Sequence, residues 1–193
     1  MAGQFALWKS DVRRMLPVGA GAIRTLAYML LTQGIWAVTM FRLGGWLRTI
    51  PRAVRLPLAV IYVPLHKLVQ CLTGIDIPNS VEAGPGLYIG HFGGIILHGQ
   101  VRLGSNVNLG QGVTIGIGGF GARRGVPTIG SRVYFGAGAK VFGPIAVGDD
   151  CIIGANAVVN RTIPSGSVAA GVPARVIRTV TQSDIAEAVF GRE

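Results

Sequence analysis

The chain has few charged residues and almost no cysteine, and both shortages limit what it can be. Charged residues make up 13% of its 193 residues, whereas 50% are hydrophobic. An intrinsically disordered chain is excluded, because such chains are rich in charge and poor in apolar residues. Two cysteines, Cys71 and Cys151, are too few for a disulfide framework or a zinc site. We expect both to be buried free thiols in a reducing compartment.

Acidic residues are almost missing from the segment 1–70, where nine Lys and Arg stand against the single acid Asp11. Such a basic excess suits nucleic acid, but no nucleic-acid-binding motif accompanies it, so we expect no nucleic-acid partner. The segment 1–17 carries charges where a cleavable signal peptide has its apolar run. We therefore expect no signal peptide there.

Two uncharged runs interrupt this basic segment, and we expect helices over roughly residues 23–69. The first run covers residues 25–41 and the second covers residues 56–66. The first is at the short limit for a membrane-spanning helix, and the second is too short. Apolar helices with basic flanks suit an anionic membrane surface. We predict that residues 1–72 form an α-helical segment that associates with the cytoplasmic side of the inner membrane as a peripheral element; a buried helical oligomerisation domain is the alternative.

The rest of the chain is rich in glycine, of which there are 30, and shows a step of six residues. Six residues suit one short strand and one tight turn, and Gly or Asn permits the backbone of the turn. Three such units close one coil, and stacked coils form a parallel β-helix. A β-sandwich, the alternative, has its turns at a wider spacing. The step links Leu103, Leu109 and Ile115, and then Ile129, Phe135, Val141, Val147, Ile153 and Val159.

The six-residue step is interrupted twice, each time by a gap that is two positions longer than two repeats. The gap between residues 89 and 103 contains His91 and His98, and the gap between 115 and 129 contains the segment 116–127. Insertions in solenoid proteins collect on one binding face. A lone histidine among apolar residues is usually structural, but the position of His91 at an interruption makes it a candidate functional residue.

Several ordered stretches resemble the serine acetyltransferase branch of the hexapeptide-repeat acyltransferases. The resemblance implies an acetyl-CoA-dependent O-acetyltransferase whose left-handed parallel β-helix covers residues 73–178, with an inserted loop at 116–127. Residues 179–193 would form a C-terminal tail with a short helix. It also implies a homotrimer that binds acetyl-CoA between neighbouring β-helices, without a metal. The matching stretches are TGIDIP, GPGLYIGHFGGIIL, QGVTIG, IGSRVYFGAGAKVFGPIAVGDDCIIGANAVV and IPSGSVAAGVPARVI.

The resemblance assigns the catalytic roles to His91, as the base, and to Asp76, as the carboxylate that orients it. A hydroxyl attacks a thioester poorly until its proton is removed, and a neutral imidazole is suited to remove it. A carboxylate on the other ring nitrogen fixes the tautomer and stabilises the imidazolium. The alternative role for Asp76 is to cap a turn.

Acetyl-CoA binding is implied for small residues of the repeat, through strand backbone, and for two basic residues that would meet its phosphates. For Lys140 and Arg175 a solvated edge of the β-helix is the alternative. The predicted cofactor-binding residues are Ile117, Gly136, Ala137, Lys140, Gly154, Ala155 and Arg175.

Three positions depart from the serine acetyltransferase pattern and bear on the acceptor. Gly90 stands where the family has an Asp, Val126 where it has a second His, and Gly125 where it has an Arg. From these losses we expect a relative of polysaccharide O-acetyltransferases, which would modify a sugar hydroxyl of an exopolysaccharide or its lipid-linked precursor. Serine O-acetyltransferase of cysteine biosynthesis and a non-catalytic scaffold are the alternatives. The predicted substrate-binding residues are Gly90, His98, Arg123 and Arg124.

Overall fold

The computed structural model describes residues 3–121 and 124–191, which contain five α-helices and fourteen short strands. The helices are α1 (Gln4–Met15), α2 (Ala22–Leu31), α3 (Gln33–Leu47), α4 (Arg52–Thr73) and α5 (Gln182–Phe190). The strands are β1 (Ile75–Asp76), β2 (Glu82–Ala83), β3 (Ile95–Leu97), β4 (Arg102–Leu103), β5 (Asn108–Leu109), β6 (Thr114–Gly116), β7 (Thr128–Ile129), β8 (Tyr134–Phe135), β9 (Lys140–Phe142), β10 (Ala146–Val147), β11 (Ile152–Ile153), β12 (Val158–Val159), β13 (Ser167–Gly171) and β14 (Ala174–Thr179).

The strands stack into three sheets that form the faces of a β-helix. Sheet A has the order β1-β3-β6-β9-β12, sheet B the order β2-β4-β7-β10, and sheet C the order β5-β8-β11-β13-β14. Among the pairs of named strands that the structure describes, only β13 and β14 run antiparallel. In the regular coils, partners lie three repeats apart in the sequence, as Tyr134 and Ile152 do. The predicted six-residue repeat and three-strand coil are therefore confirmed.

The residues at the six-residue step form the core of the β-helix. All nine that the sequence singled out are at most 5% exposed. Each buried aliphatic side chain stabilises the fold by about 1.5–3 kcal/mol relative to exposure. The corners require glycine where successive coils approach each other: a Cβ on Gly104 would lie 2.5 Å from the carbonyl carbon of Gly130.

The two interruptions are insertions at corners, and they differ in size. Ile75 pairs with Ile95, so the coil that contains His91 is two positions longer than a regular coil. Leu103 pairs with Ile129, so the coil that contains the inserted loop is eight positions longer. The two interruptions of the six-residue step have the same length in the sequence, which hides this difference. Leu97 lies inside the first interruption but is itself a core residue, so it continues the repeat there.

A buried ion pair joins helices α1 and α3 next to the first coil of the β-helix. Arg42 on α3 donates to Asp11 on α1 over 2.7 Å, with exposed side-chain fractions of 3% and 0%. Asp11 also accepts from the backbone N–H groups of residues 86 and 87, and Arg42 donates to the carbonyl groups of residues 83 and 84. Burial raises the pKa of Asp11, which Arg42 opposes. The pair fixes both helices to the β-helix.

Helices α2 and α4 are largely exposed. No residue of α2 is buried, and α4 buries only Tyr62 and Thr73. The uncharged run at 25–41 is broken at Thr32, where α2 and α3 meet at 78°. By length and composition α4 is long enough and apolar enough to cross a membrane, and the bent α2–α3 pair passes the same test as a unit. Helix α4 is longer than the uncharged run at 56–66 suggested, because it continues through its charged flanks.

Both cysteines are free thiols, but only one is buried. Burial raises the pKa of Cys151, a fully buried core residue. Cys71 is exposed on α4, so the expectation that it is buried is wrong. Cys71 does not lie on the face of α4 that packs against the rest of the chain.

Candidate active site

A groove of ≈ 800 Å³ opens at the corner between sheets C and A, and His91 lies in it. One wall is the β-helix and the other is the C-terminal helix α5. The lining residues are Tyr88, Gly90, His91, Asn108, Leu109, Gly110, Gln111, Tyr134, Ala137, Ile152, Asp184, Glu187, Ala188 and Gly191.

His91 stands on the two-residue insertion at this corner. Gly93 and Gly94 have φ values of +100° and +65°, a backbone conformation that other residues rarely adopt. The turn is tied to the neighbouring coils, because the N–H of Gly93 donates to Thr73 and its carbonyl accepts from Gly112. His91 is exposed, and within the described residues no hydrogen bond holds its imidazole. The ring is therefore available to a ligand in the groove.

Asp76, the predicted partner of His91, lies on β1, at the start of the coil that contains His91. Its Oδ1 accepts a hydrogen bond of 2.7 Å from Nε2 of Gln70 on α4. No hydrogen bond joins Asp76 to His91 in the part of the chain that the structure describes, so the catalytic pairing stays a prediction. A turn-capping role is not seen either, since the partner of the carboxylate is a side-chain amide.

The sequence did not predict that α4 would provide a hydrogen-bond donor to the carboxylate of Asp76. Gln70 also lies 3.1 Å from Nε2 of His66, whose ring stacks on Tyr62 at 5.2 Å between centroids. Burial lowers the pKa of His66. Residues 62, 66, 69 and 73 repeat at helical spacing, which would have identified the stripe of α4 that packs inward.

The predicted acetyl-CoA residues Gly136, Ala137, Gly154 and Ala155 lie at the same corner as His91. Backbone hydrogen bonds join this corner from coil to coil, from Gly112 to Gly93, from Gly138 to Gln111 and from Asn156 to Ala137. At about 4.8 Å per coil, Ala137 lies about 10 Å and Ala155 about 14 Å along the axis from His91. Small residues thus follow one another along this corner from the coil of His91, and their role in acetyl-CoA binding stays a prediction.

The other predicted binding residues are not brought to this groove. Nζ of Lys140 donates to Thr114 Oγ1 over 3.0 Å and to the carbonyl of Gly112. Arg175 donates to the carbonyl of Ala174 over 2.9 Å, and Ile117 begins the inserted loop. Their roles stay predictions.

The predicted substrate-binding residues are divided between two corners. Gly90 lines the groove beside His91. His98 and Arg124 lie at the corner between sheets A and B, as does the inserted loop. Arg123 lies outside the described residues. Within one chain, therefore, the inserted loop and His91 occupy different corners of the β-helix.

The described residues contain no cluster of His, Cys, Asp and Glu that could hold a metal ion.

Comparisons with known proteins identify the family. A model of the hexapeptide repeat of succinyl-transferase matches residues 128–161. A serine acetyltransferase of Helicobacter pylori is 38% identical over 169 residues, which are 86% of this chain and 94% of the relative. The crystal structure of serine acetyltransferase in complex with coenzyme A from Brucella abortus has a TM-score of 0.74 at 28% identity, over 92% of this chain and 68% of that one. That of Neisseria gonorrhoeae serine acetyltransferase in complex with serine has a TM-score of 0.74 at 25% identity, over 91% and 69%.

These matches contradict the expectation of a polysaccharide-modifying enzyme with a sugar acceptor. That expectation rested on Gly90, Gly125 and Val126, whereas the relative matches over 94% of its length. The structure also weakens the argument from single positions, because α5 brings further polar residues to the groove. The chain belongs to the serine acetyltransferase family of hexapeptide-repeat acyltransferases, and it is an acetyl-CoA-dependent acyltransferase.

Proposed function

We propose that the protein transfers the acetyl group of acetyl-CoA to the side-chain hydroxyl of L-serine. The observation that carries this proposal is the match to a serine acetyltransferase over nearly the whole length of that relative. The open groove with His91 beside a track of small residues supports it, since both substrates must meet at one base.

His91 acts as the general base. Its imidazole takes the proton from the serine hydroxyl as the oxygen attacks the thioester carbonyl. The tetrahedral intermediate then collapses, the C–S bond breaks, and the imidazolium returns its proton to the CoA thiolate. Asp76, at the start of the same coil, stabilises the imidazolium in this scheme. The products are O-acetylserine and CoA.

The proposal includes a homotrimer. In one chain the inserted loop and His91 lie at different corners, so a loop reaches His91 only from a neighbouring copy. Packing of the corner between sheets A and B against the groove of the next copy brings Arg124 near the bound donor. Its positive charge then suits the phosphates of acetyl-CoA.

An acceptor panel tests the serine proposal. With acetyl-CoA in excess, we expect CoA release to depend on L-serine and to match the amount of ester formed. 3-Hydroxypropionate lacks the amine and 2-aminoethanol lacks the carboxylate, and both should react more slowly at equal concentration. Serine-independent release alone, or release driven equally by any small alcohol, would contradict the proposal.

We also propose that the helical segment lies on an anionic membrane surface, at the cytoplasmic face of the inner membrane. Helix α4 carries an outward stripe of apolar residues at alternating steps of four and three, each at least 37% exposed. This stripe is Val54, Leu58, Ile61, Leu65, Leu68 and Leu72. On α2, Ile23 is 87% exposed and Leu31 75%. Apolar faces of this width are typical of helices that insert into the headgroup boundary.

Charge favours lipid over a second copy of the segment. Among the described residues up to Thr73 the one acid is Asp11, which is buried and paired with Arg42. Arg24, Arg52 and Lys67 have no acid within this segment to pair with. Two copies packed face to face would place like charges together. Anionic headgroups instead neutralise these charges, and each base near the surface stabilises membrane binding by roughly 1 kcal/mol.

Sedimentation with vesicles tests the membrane proposal. We expect binding to phosphatidylcholine vesicles only when an anionic lipid is added, with affinity falling as salt increases. Ile61→Glu combined with Leu65→Glu should weaken binding by about tenfold or more, since it removes two apolar contacts with the membrane. Ile177→Glu, at a 62% exposed position of β14, is the matched control and should bind normally. Absence of binding together with self-association through the helices would contradict the proposal.

A further inference from the structure

Helix α5 is a structural wall of the groove that contains His91. Asp184, Glu187 and Ala188 lie at positions i, i+3 and i+4 of the helix, so they share one face, and they line the groove together with Gly191, which follows the helix. The opposite side of the helix is anchored through Ile185, which is 6% exposed.

The position of α5 is fixed by polar contacts as well. Nδ2 of Asn108 donates to the carbonyl groups of Ala188 and Val189 over 3.0 and 3.2 Å. Arg14 donates to the same carbonyl of Val189 and to Oδ1 of Asn108. A basic residue at these last carbonyl groups also suits the negative end of the helix dipole. The side chains on the groove face are thereby held at a defined place.

The groove carries the negative charge of two carboxylates, Asp184 and Glu187, and only Asp184 is held in an ion pair within the described residues. No Lys or Arg occurs among the described residues that line it. Asp184 accepts from Arg178 over 2.9 Å and from the backbone N–H of Thr181 over 2.8 Å. Arg178 holds the pKa of Asp184 well below its usual range. Glu187 is exposed and forms no ion pair within the described chain.

The position next to the base does not supply a carboxylate. Gly90 has no side chain, and a Cβ there would meet the Tyr88 hydroxyl at 3.0 Å and its ring at 3.1 Å. An acceptor with an ammonium group must therefore find its counter-charge elsewhere in the groove.

We infer that Glu187 binds the ammonium group of the acceptor and so selects serine over alcohols that lack an amine. The inference rests on the proposed function and extends it to a specificity-determining residue. The carboxylate of Glu187 accepts hydrogen bonds from the ammonium group while His91 takes the hydroxyl proton, which places the reacting oxygen beside the base. Because this ion pair exists in both the ground state and the transition state, its loss acts on serine binding rather than on turnover.

Glu187→Gln tests the inference, because it keeps the size of the side chain and removes its charge. We expect the KM for serine to rise about 10- to 100-fold, the range for loss of a hydrogen bond to a charged group. The kcat and the KM for acetyl-CoA should stay close to the wild-type values. The preference for serine over 3-hydroxypropionate should fall by the same factor as the rise in KM, and Glu187→Asp should recover part of it.

Glu82→Gln is the matched control. Glu82 lies on β2, outside the lining of the groove, in an ion pair with Arg102 whose side chains are 67% and 71% exposed. It should leave both kinetic constants unchanged. A wild-type KM for serine in Glu187→Gln, or a loss confined to kcat, overturns the inference while the proposed function stands. Failure of the wild-type protein to acetylate serine overturns the proposed function itself.

Discussion

His91→Ala is expected to lower kcat by at least about 10²-fold, the usual contribution of a general base. The serine hydroxyl then lacks the imidazole that takes its proton as it attacks the thioester. The substitution also leaves a space beside the reacting oxygen. Added imidazole should therefore restore part of the activity, which a merely structural role for the histidine would not allow.

The controls for this variant are measurements of its stability and of its binding of acetyl-CoA, which should both match those of the wild-type protein. His91 is exposed and has no hydrogen bond to lose within the described residues, so the free energy of unfolding should change by no more than about 0.5 kcal/mol. Isothermal titration should give an unchanged Kd for acetyl-CoA. Near-wild-type turnover in His91→Ala would remove the residue from catalysis, and the groove would then need another base.

Arg42→Met is expected to lower the free energy of unfolding by about 3–5 kcal/mol, which is the cost of leaving one member of a buried ion pair without its partner. Asp11 would stay in place with an exposed side-chain fraction of 0%. The carbonyl groups of residues 83 and 84 would lose their donor as well. The measurement is urea unfolding followed by far-UV circular dichroism and intrinsic fluorescence.

Arg102→Met is the matched control, because the pair of Arg102 and Glu82 is solvent-exposed. Such pairs contribute about 0–1 kcal/mol. The double variant Asp11→Leu with Arg42→Met should recover part of the loss, since no buried charge then lacks a partner. If Arg42→Met and Arg102→Met were equally stable, the ion pair would not be what holds α1 and α3 to the β-helix.

The β-helix was predictable because its period leaves little freedom. In most repeats the residue at the six-residue step and the residue two positions before it are both buried, so a column such as Leu103, Ile129 and Val147 identifies the core directly. The same regularity made the interruptions visible, and one of them holds His91. The size of the second insertion was not predictable from the gaps alone, since the gap says nothing about which residues pair across coils.

The acceptor was predicted wrongly because the argument used only the positions where the family pattern is lost. Gly90 and Val126 lack polar side chains, but side chains distant in the sequence complete a groove. Glu187 reaches the groove through α5, which α1 and β5 hold through Arg14 and Asn108. Contacts between segments so far apart carry no periodic signal, and neither does the hydrogen bond from Gln70 to Asp76.

The amphipathic helices were predictable in kind but not in extent. The charges of the segment 1–70 indicated the basic flanks. The apolar run at 56–66 gave no sign that α4 continues to Thr73 and presents one stripe inward and another outward. The attachment of the first helix was not predictable, because the sequence gives no sign that Asp11 pairs with Arg42.

The most direct test of the central claim follows the acetyl group itself. The protein is incubated with acetyl-CoA labelled with ¹³C at the carbonyl carbon and with L-serine, and the product is examined by NMR before any O-to-N migration occurs. We predict that the label appears as an ester on the serine side-chain oxygen with wild-type protein and is strongly reduced with His91→Ala. Label that remains in acetyl-CoA or appears only as free acetate would contradict the assignment of serine as the acceptor.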